Sequence, residues 1–232
     1  MNVSTAKSIF LVIIVVILVS LHADAYDPEP LQDFCVAVHD TDAAVFVNGK
    51  ICKNPDTVTP DDFYFSGLNR VGNITSPFGT VVTKVFVDEM PALNTLGLAM
   101  SRIDYGPYGA NPPHSHPHAS EILMVMEGML YVGFISTNPP NPYDNNKLYS
   151  KVIGPGDIYV FPKGLVHFQY NLEKSKALAF ASFSSQKPGL VTISKAIFGS
   201  EPSVYPDLLA KSFQMSHKEV NHLLSLEWIG NA

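Results

Sequence analysis

Apolar residues in this chain fall in short runs broken by Gly, Pro, Asn and Asp, a rhythm that belongs to strands and tight turns. Glu121 to Met126, Leu130 to Ile135, Asp157 to Phe161, Val166 to Tyr170 and Ala177 to Phe183 read as strands. Turns fall at Glu127-Gly128, Gly154-Pro155-Gly156 and Lys163-Gly164. Several runs are apolar at both parities, as expected where one face fills a barrel and the other packs on a second sheet or another subunit. The stretch from Asn138 to Asn146 is polar and proline-rich, so it reads as a loop. The pattern predicts an all-β barrel or sandwich.

The carboxyl end changes period. Pro206 can open a helix carrying Leu208, Leu209 and Phe213, and Ser216 with Glu219 forms a capping box ahead of Val220, Leu223 and Leu224. Two amphipathic helices are expected, either covering their own barrel or contacting a neighbour. His217 and His222 read as solvent-facing.

The candidate chemistry lies in two of the β-type segments. His114 and His116 are two apart, so on a strand their imidazoles face one point. Glu121 has the opposite parity, but Pro117 permits a break, after which the carboxylate can enter from the next strand. His167 must arrive from a distant strand. These four side chains read as ligands of one metal ion, a nitrogen and oxygen set without thiolate and so unlike closed structural zinc sites. With room for two waters the set suits octahedral Mn(II) or Fe(II) and leaves positions where oxygen species or a small acid could bind. His118 follows Pro117 and is expected to face solvent or to stand behind the ligands.

Lys7 precedes an apolar run from Ile9 to Val19, and Ala23-Asp24-Ala25 supplies a small-x-small cleavage site. Residues 1–25 therefore read as a secretory signal peptide, too short in its apolar part to span a bilayer. The remaining 26–232 suffices for a single β domain with its own core. Cys35 and Cys52, the two cysteines of the chain, are expected to form a disulfide in an oxidising compartment. Asn73-Ile74-Thr75 is an N-glycosylation sequon in loop-like sequence. The net charge of −6 is unaltered by loss of the leader, which carries one Lys and one Asp. Without a basic stripe, nucleic acid is not an expected partner. Nucleotide-binding glycine motifs and a serine nucleophile elbow are missing from the sequence.

The mature sequence resembles the germins and germin-like proteins of plants, within the cupin superfamily. The resemblance rests on Phe34-Cys35-Val36-Ala37, Val45 to Lys53, Asp62 to Leu68, Leu93-Asn94-Thr95-Leu96-Gly97, both metal segments, Ser184 to Gly189 and Ile197-Phe198-Gly199-Ser200. It implies a cupin jelly-roll β-barrel with C-terminal α-helices, binding Mn(II) through His114, His116, Glu121 and His167. It also implies an extracellular glycoprotein assembled as a hexamer, a trimer of dimers.

The resemblance implies a family whose activities include oxalate oxidation, manganese-dependent superoxide dismutation and nucleotide-sugar phosphodiesterase activity, with many members of no established catalysis, so fold alone does not choose. The family's oxalate oxidases carry two substrate-holding Asn; one matches Asn111, but the other position is Ser101, shorter and without an amide donor. Further departures are His118 where Arg is common, Gly154-Pro155-Gly156-Asp157 where a Lys-Gly-Asp turn is common, and Lys187 where Asn is common. The leading expectation is a secreted apoplastic manganese protein with superoxide dismutase activity and a role in plant defence. Oxalate oxidase is the alternative; a non-enzymatic receptor or wall-associated metal protein is a third.

Overall fold

The computed structural model describes Asp56 and residues 58–230. The expected leader over residues 1–25 and the Cys35–Cys52 pair lie outside the described residues. Among the described residues, ten strands form two five-stranded antiparallel sheets. They are β1 (Thr80–Val85), β2 (Ala99–Tyr105), β3 (Ala110–Ser115), β4 (Glu121–Glu127), β5 (Leu130–Ile135), β6 (Leu148–Ile153), β7 (Ile158–Phe161), β8 (His167–Asn171), β9 (Ala177–Phe183) and β10 (Val191–Thr192). One sheet runs β1-β2-β9-β4-β7 and the other β10-β3-β8-β5-β6. This is the two-sheet jelly roll.

Alternation within the strands builds the core. In β9 the residues Ala177, Ala179, Ala181 and Phe183 are buried, while Leu178, Phe180 and Ser182 point to the other face and are half-buried. Small inward side chains on this central strand leave room for larger ones from both sheets. Tyr105, Leu123, Val125, Leu130, Val132, Ile153 and Phe161 fill that space. The outward face of β4 and β7 is also apolar: Ile122 pairs with Val160, and Met124 with Ile158. All four are exposed, together with Met126. The second parity of these strands is thus left uncovered by the other described residues.

The most consequential irregularity lies in β3. Pro112 and Pro113 have no N–H to donate, and the pairing with β8 shifts between Asn111 and His114. Asn111 lies opposite Gln169 and His114 opposite His167, so β3 advances three residues while β8 advances two. Such a bulge reverses parity. Asn111 and His114, an odd number apart, consequently face the same interior.

Three helices follow the barrel: α1 (Ile193–Phe198), α2 (Pro206–Phe213) and α3 (His217–Leu224). The expected capping box closes the start of α3, where Ser216 Oγ accepts from the Glu219 amide and the Glu219 carboxylate accepts from the Ser216 amide. Leu209, Ala210 and Val220 form a separate small core with Ile197, Phe198, Val204, Met215 and Leu224. The last two helices are therefore satisfied chiefly by one another and α1. Leu208 and Phe213 remain exposed.

Candidate metal centre

The four side chains singled out in the sequence converge. His114 stands at the end of β3, His116 just past it, Glu121 opens β4 and His167 opens β8. Their potential ligand atoms lie within 4.8 Å of one another, and all four residues are buried. The break between His116 and Glu121 is real, with the residues from His116 to Ser120 outside the strands. His118 stands apart from the cluster, half-buried, its Nδ1 near the Lys187 carbonyl at 3.3 Å.

Backbone carbonyls orient the imidazoles. Nδ1 of His114 is 2.8 Å from the Pro112 oxygen, Nδ1 of His116 is 2.6 Å from that of Gly189, and Nδ1 of His167 is 2.9 Å from that of Leu165. A carbonyl only accepts, so each Nδ1 carries the proton and each neutral ring keeps its lone pair at Nε2. Such outer bonds orient ligating histidines and raise their basicity. Aromatic walls fix two of the rings further: Phe161 stacks on His167 at 4.6 Å, and Phe183 meets His116 edge-on at 5.0 Å.

Nε2 of His116 and Nε2 of His167 each lie 3.2 Å from Oε2 of Glu121. With the protons on Nδ1, these are contacts between electron pairs, which a buried site tolerates only with a cation among them. Ligands about 2.1 Å from one ion at right angles sit about 3 Å apart, matching this separation. The residues present therefore fit a metal. Burial, reinforced by the neighbouring His167 and His116, lowers the His114 pKa to about 3. Burial alone would raise that of Glu121, but the facing imidazoles of His116 and His167 outweigh it and hold the carboxyl well below its usual range. Both shifts keep the groups in their ligating forms.

The cluster opens into a cavity of about 250 Å³. Val82, Phe86, Ile103 and Phe183 supply apolar wall, and Ser101 and Asn111 supply polar wall. Ser101 is fully buried and its Oγ has no hydrogen-bond partner. An unsatisfied buried hydroxyl beside a metal site is a donor awaiting a ligand or water. Asn73 stands exposed in the loop before β1.

The family model described as Cupin matches residues 66–221. Germin-like protein subfamily 1 member 13 of Arabidopsis thaliana is 51% identical over 222 residues, 96% of either chain. The chain belongs to the germin-like proteins of the cupin family. Among solved structures, oxalate oxidase in complex with the substrate analogue glycolate is 44% identical with a TM-score of 0.74, covering 86% of this chain and 97% of that one. Peruvianin-I, a cysteine peptidase from Thevetia peruviana latex, is 40% identical with a TM-score of 0.60, covering 72% of this chain and 98% of that one.

Sequence reasoning named the side chains that converge but not their supports. The carbonyls of Pro112, Leu165 and Gly189 leave no mark in residue type, and the last is 73 positions from the histidine it orients. The adjacent Pro112 and Pro113 before His114 are the visible hint of the β3 bulge.

His114→Ala, His116→Ala and His167→Ala should each strip most of the bound metal, as read by elemental analysis of the purified protein; Glu121→Gln should weaken retention by removing the one formal negative charge from the set. Full metal content in all three alanine variants would refute the centre.

Acid should act in a defined direction. In the metal-free protein His114 titrates near 3 when folded and about 6.5 when unfolded, so the unfolded chain takes up the proton first. Stability is then fully present above about 6.5 and is lost as pH falls towards 3; the lowered carboxyl of Glu121 adds a loss of the same sign at lower pH. An NMR titration of the metal-free protein should find the His114 ring still neutral at about pH 5, and a midpoint near the free-histidine value would contradict its burial.

Proposed function

We propose that this germin-like protein is a secreted manganese protein of the plant apoplast that dismutates superoxide, in defence or wall oxidative chemistry. The observation that carries this reading is the convergence of three unprotonated Nε2 atoms and one carboxylate at the wall of a cavity with room for a small molecule. When bound, manganese would supply a couple of two oxidation states, so that two superoxide ions and two protons become dioxygen and hydrogen peroxide. His114, His116, Glu121 and His167 would hold it. The carbonyl bonds to Nδ1 keep the rings from rotating or changing tautomer, and the apolar wall limits water. Ser101 Oγ and Asn111 stand where a small oxygen species, or the water that delivers its proton, could be hydrogen-bonded.

Oxalate oxidation is the second reading, favoured by the likeness to the glycolate-bound oxalate oxidase. Against it stands Ser101, lining the cavity where an amide would otherwise reach the substrate. In a non-enzymatic reading, as a receptor or wall-associated protein, the metal would serve only to tie β3, β4 and β8 together.

The reading extends to processing and assembly. Cleavage after Ala25, a Cys35–Cys52 disulfide and a glycan on exposed Asn73 would all accompany export. Among the described residues no helix is long and apolar enough to cross a membrane. The uncovered faces of β4 and β7, and Leu208 and Phe213 on α2, are the surfaces a hexameric trimer of dimers would bury.

Superoxide and oxalate assays on one metal-analysed sample discriminate the readings. Replacing manganese by a redox-inert ion should abolish dismutation, whereas unchanged function with such an ion would favour the receptor reading. Ser101→Asn should raise hydrogen peroxide release from oxalate at constant metal content, since restoring one substrate hydrogen bond can be worth up to about 10⁴-fold. Robust oxalate oxidation by the unmodified protein would instead promote the second reading.

Deleting the chain from Ser203 onward should reduce the assembly to smaller oligomers or aggregates. A hexamer mass unchanged in light scattering would show that α2 and α3 do not join subunits.

A further inference from the structure

We propose that Lys84 is the anion-capturing residue of the metal cavity, selecting as ligand class a small anion that spans from the metal cluster to the Lys84 ammonium. For its inner contact this rests on the metal reading above; the outer contact stands on Lys84 itself.

Lys84 lies on β1 between Val82 and Phe86, which share its parity and line the same cavity. It is half-buried and sits directly across the ladder from Ser101 on β2. The other charged groups around the mouth have occupations. Lys187 Nζ lies 2.9 Å from an Asp88 carboxylate oxygen, and the Glu89 carboxylate accepts from the Phe86 amide at 3.1 Å. Lys84 has neither an ion-pair nor a hydrogen-bond partner among the described residues. A partly desolvated ammonium beside apolar wall is costly unless an anion completes it. Ser101 Oγ, fully buried and unpartnered on the neighbouring strand, offers a further donor in the same cross-strand row.

The overall charge sharpens the point. At −6 the chain repels small anions at long range, so an anionic ligand needs a local positive field within the concavity. Lys84 supplies the one ammonium there without an ion-pair partner among the described residues, since Lys187 is offset by Asp88, and it acts against the Glu89 carboxylate at the same mouth. Two sources share this chemistry: a small inorganic anion such as an oxygen radical anion, and a short carboxylic acid whose second carboxylate reaches Lys84.

The test is titration calorimetry on the full-length secreted protein, metal-loaded and metal-free, with azide as the inorganic probe and malonate as the dicarboxylate. Variants are Lys84→Gln, Lys84→Arg and, for charge alone, Lys174→Gln on an exposed turn outside the cavity. Lys84→Gln should weaken at least one probe roughly tenfold or more, as loss of a charged hydrogen bond implies, with metal content unchanged. It should also flatten the dependence of binding on ionic strength. Lys84→Arg should restore most of the affinity and Lys174→Gln should leave it unaltered. Loss for both probes fits the small inorganic anion; loss for malonate alone fits the carboxylate. Affinity for both probes unchanged in Lys84→Gln, no measurable binding by the metal-loaded wild type, or an equal loss in Lys174→Gln overturns the proposal. Should the wild type retain no metal, the metal reading fails separately, and binding by the metal-free protein still reports on Lys84.

Discussion

Lone pairs from three imidazoles and a carboxylate, aimed at one another inside a barrel, repel unless a cation lies among them. The architecture around the site serves to hold that otherwise unfavourable convergence. Two of the nitrogens stand 3.2 Å from the Glu121 oxygen, and none can relieve the contact by exchanging tautomer, because its other nitrogen is bonded to a carbonyl. Those carbonyls belong to β3 at Pro112, to the turn before β8 at Leu165 and to the loop before β10 at Gly189. The electrostatics and the fold are thus one constraint: the barrel supplies the rigidity, and the converging donors supply a site that fits a cation.

The strand pattern was legible because the alternation is strong where one face is buried. Leu130–Ile135 and Ala177–Phe183 coincide with their observed strands, and α2 and α3 begin at the proline and capping box that mark them. The strands β1, β2 and β6 were less visible. Arg102 and Asp104, for example, sit at polar positions in β2, yet both are buried, with the carboxylate bridging back to the guanidinium. A charged pair that satisfies itself looks like exposed sequence until its geometry is known.

The candidate site divides in the same way. Side chains whose type carries the chemistry could be named from spacing alone, and His114, His116, Glu121 and His167 met as expected. What spacing could not supply was contact between distant backbone and side chain. The orienting carbonyls, the Phe161 and Phe183 rings and the facing of Lys84 towards the cavity all depend on register between strands far apart in the chain. Lys84 in particular has the sequence profile of an ordinary solvated lysine on an edge strand. Only its place opposite Ser101 gives it a role.

The bulge at Pro112-Pro113 also makes the site a counter of residues. Strand β3 accommodates one residue more than β8 between Asn111 and His114, so the two ends of that short interval are locked in phase by length as much as by composition. Losing or gaining one residue there would rotate either Asn111 or the histidine pair out of the cavity, although every ligand would still be encoded. The Asn138 to Asn146 loop, exposed along almost its whole length, carries no such phase relation. Chain length can therefore vary in this loop, although β5 brings it to the same end of the sheet as His167, while β3 must preserve its count; tolerance to insertion, more than residue identity, separates the outer loop from the strand that carries His114.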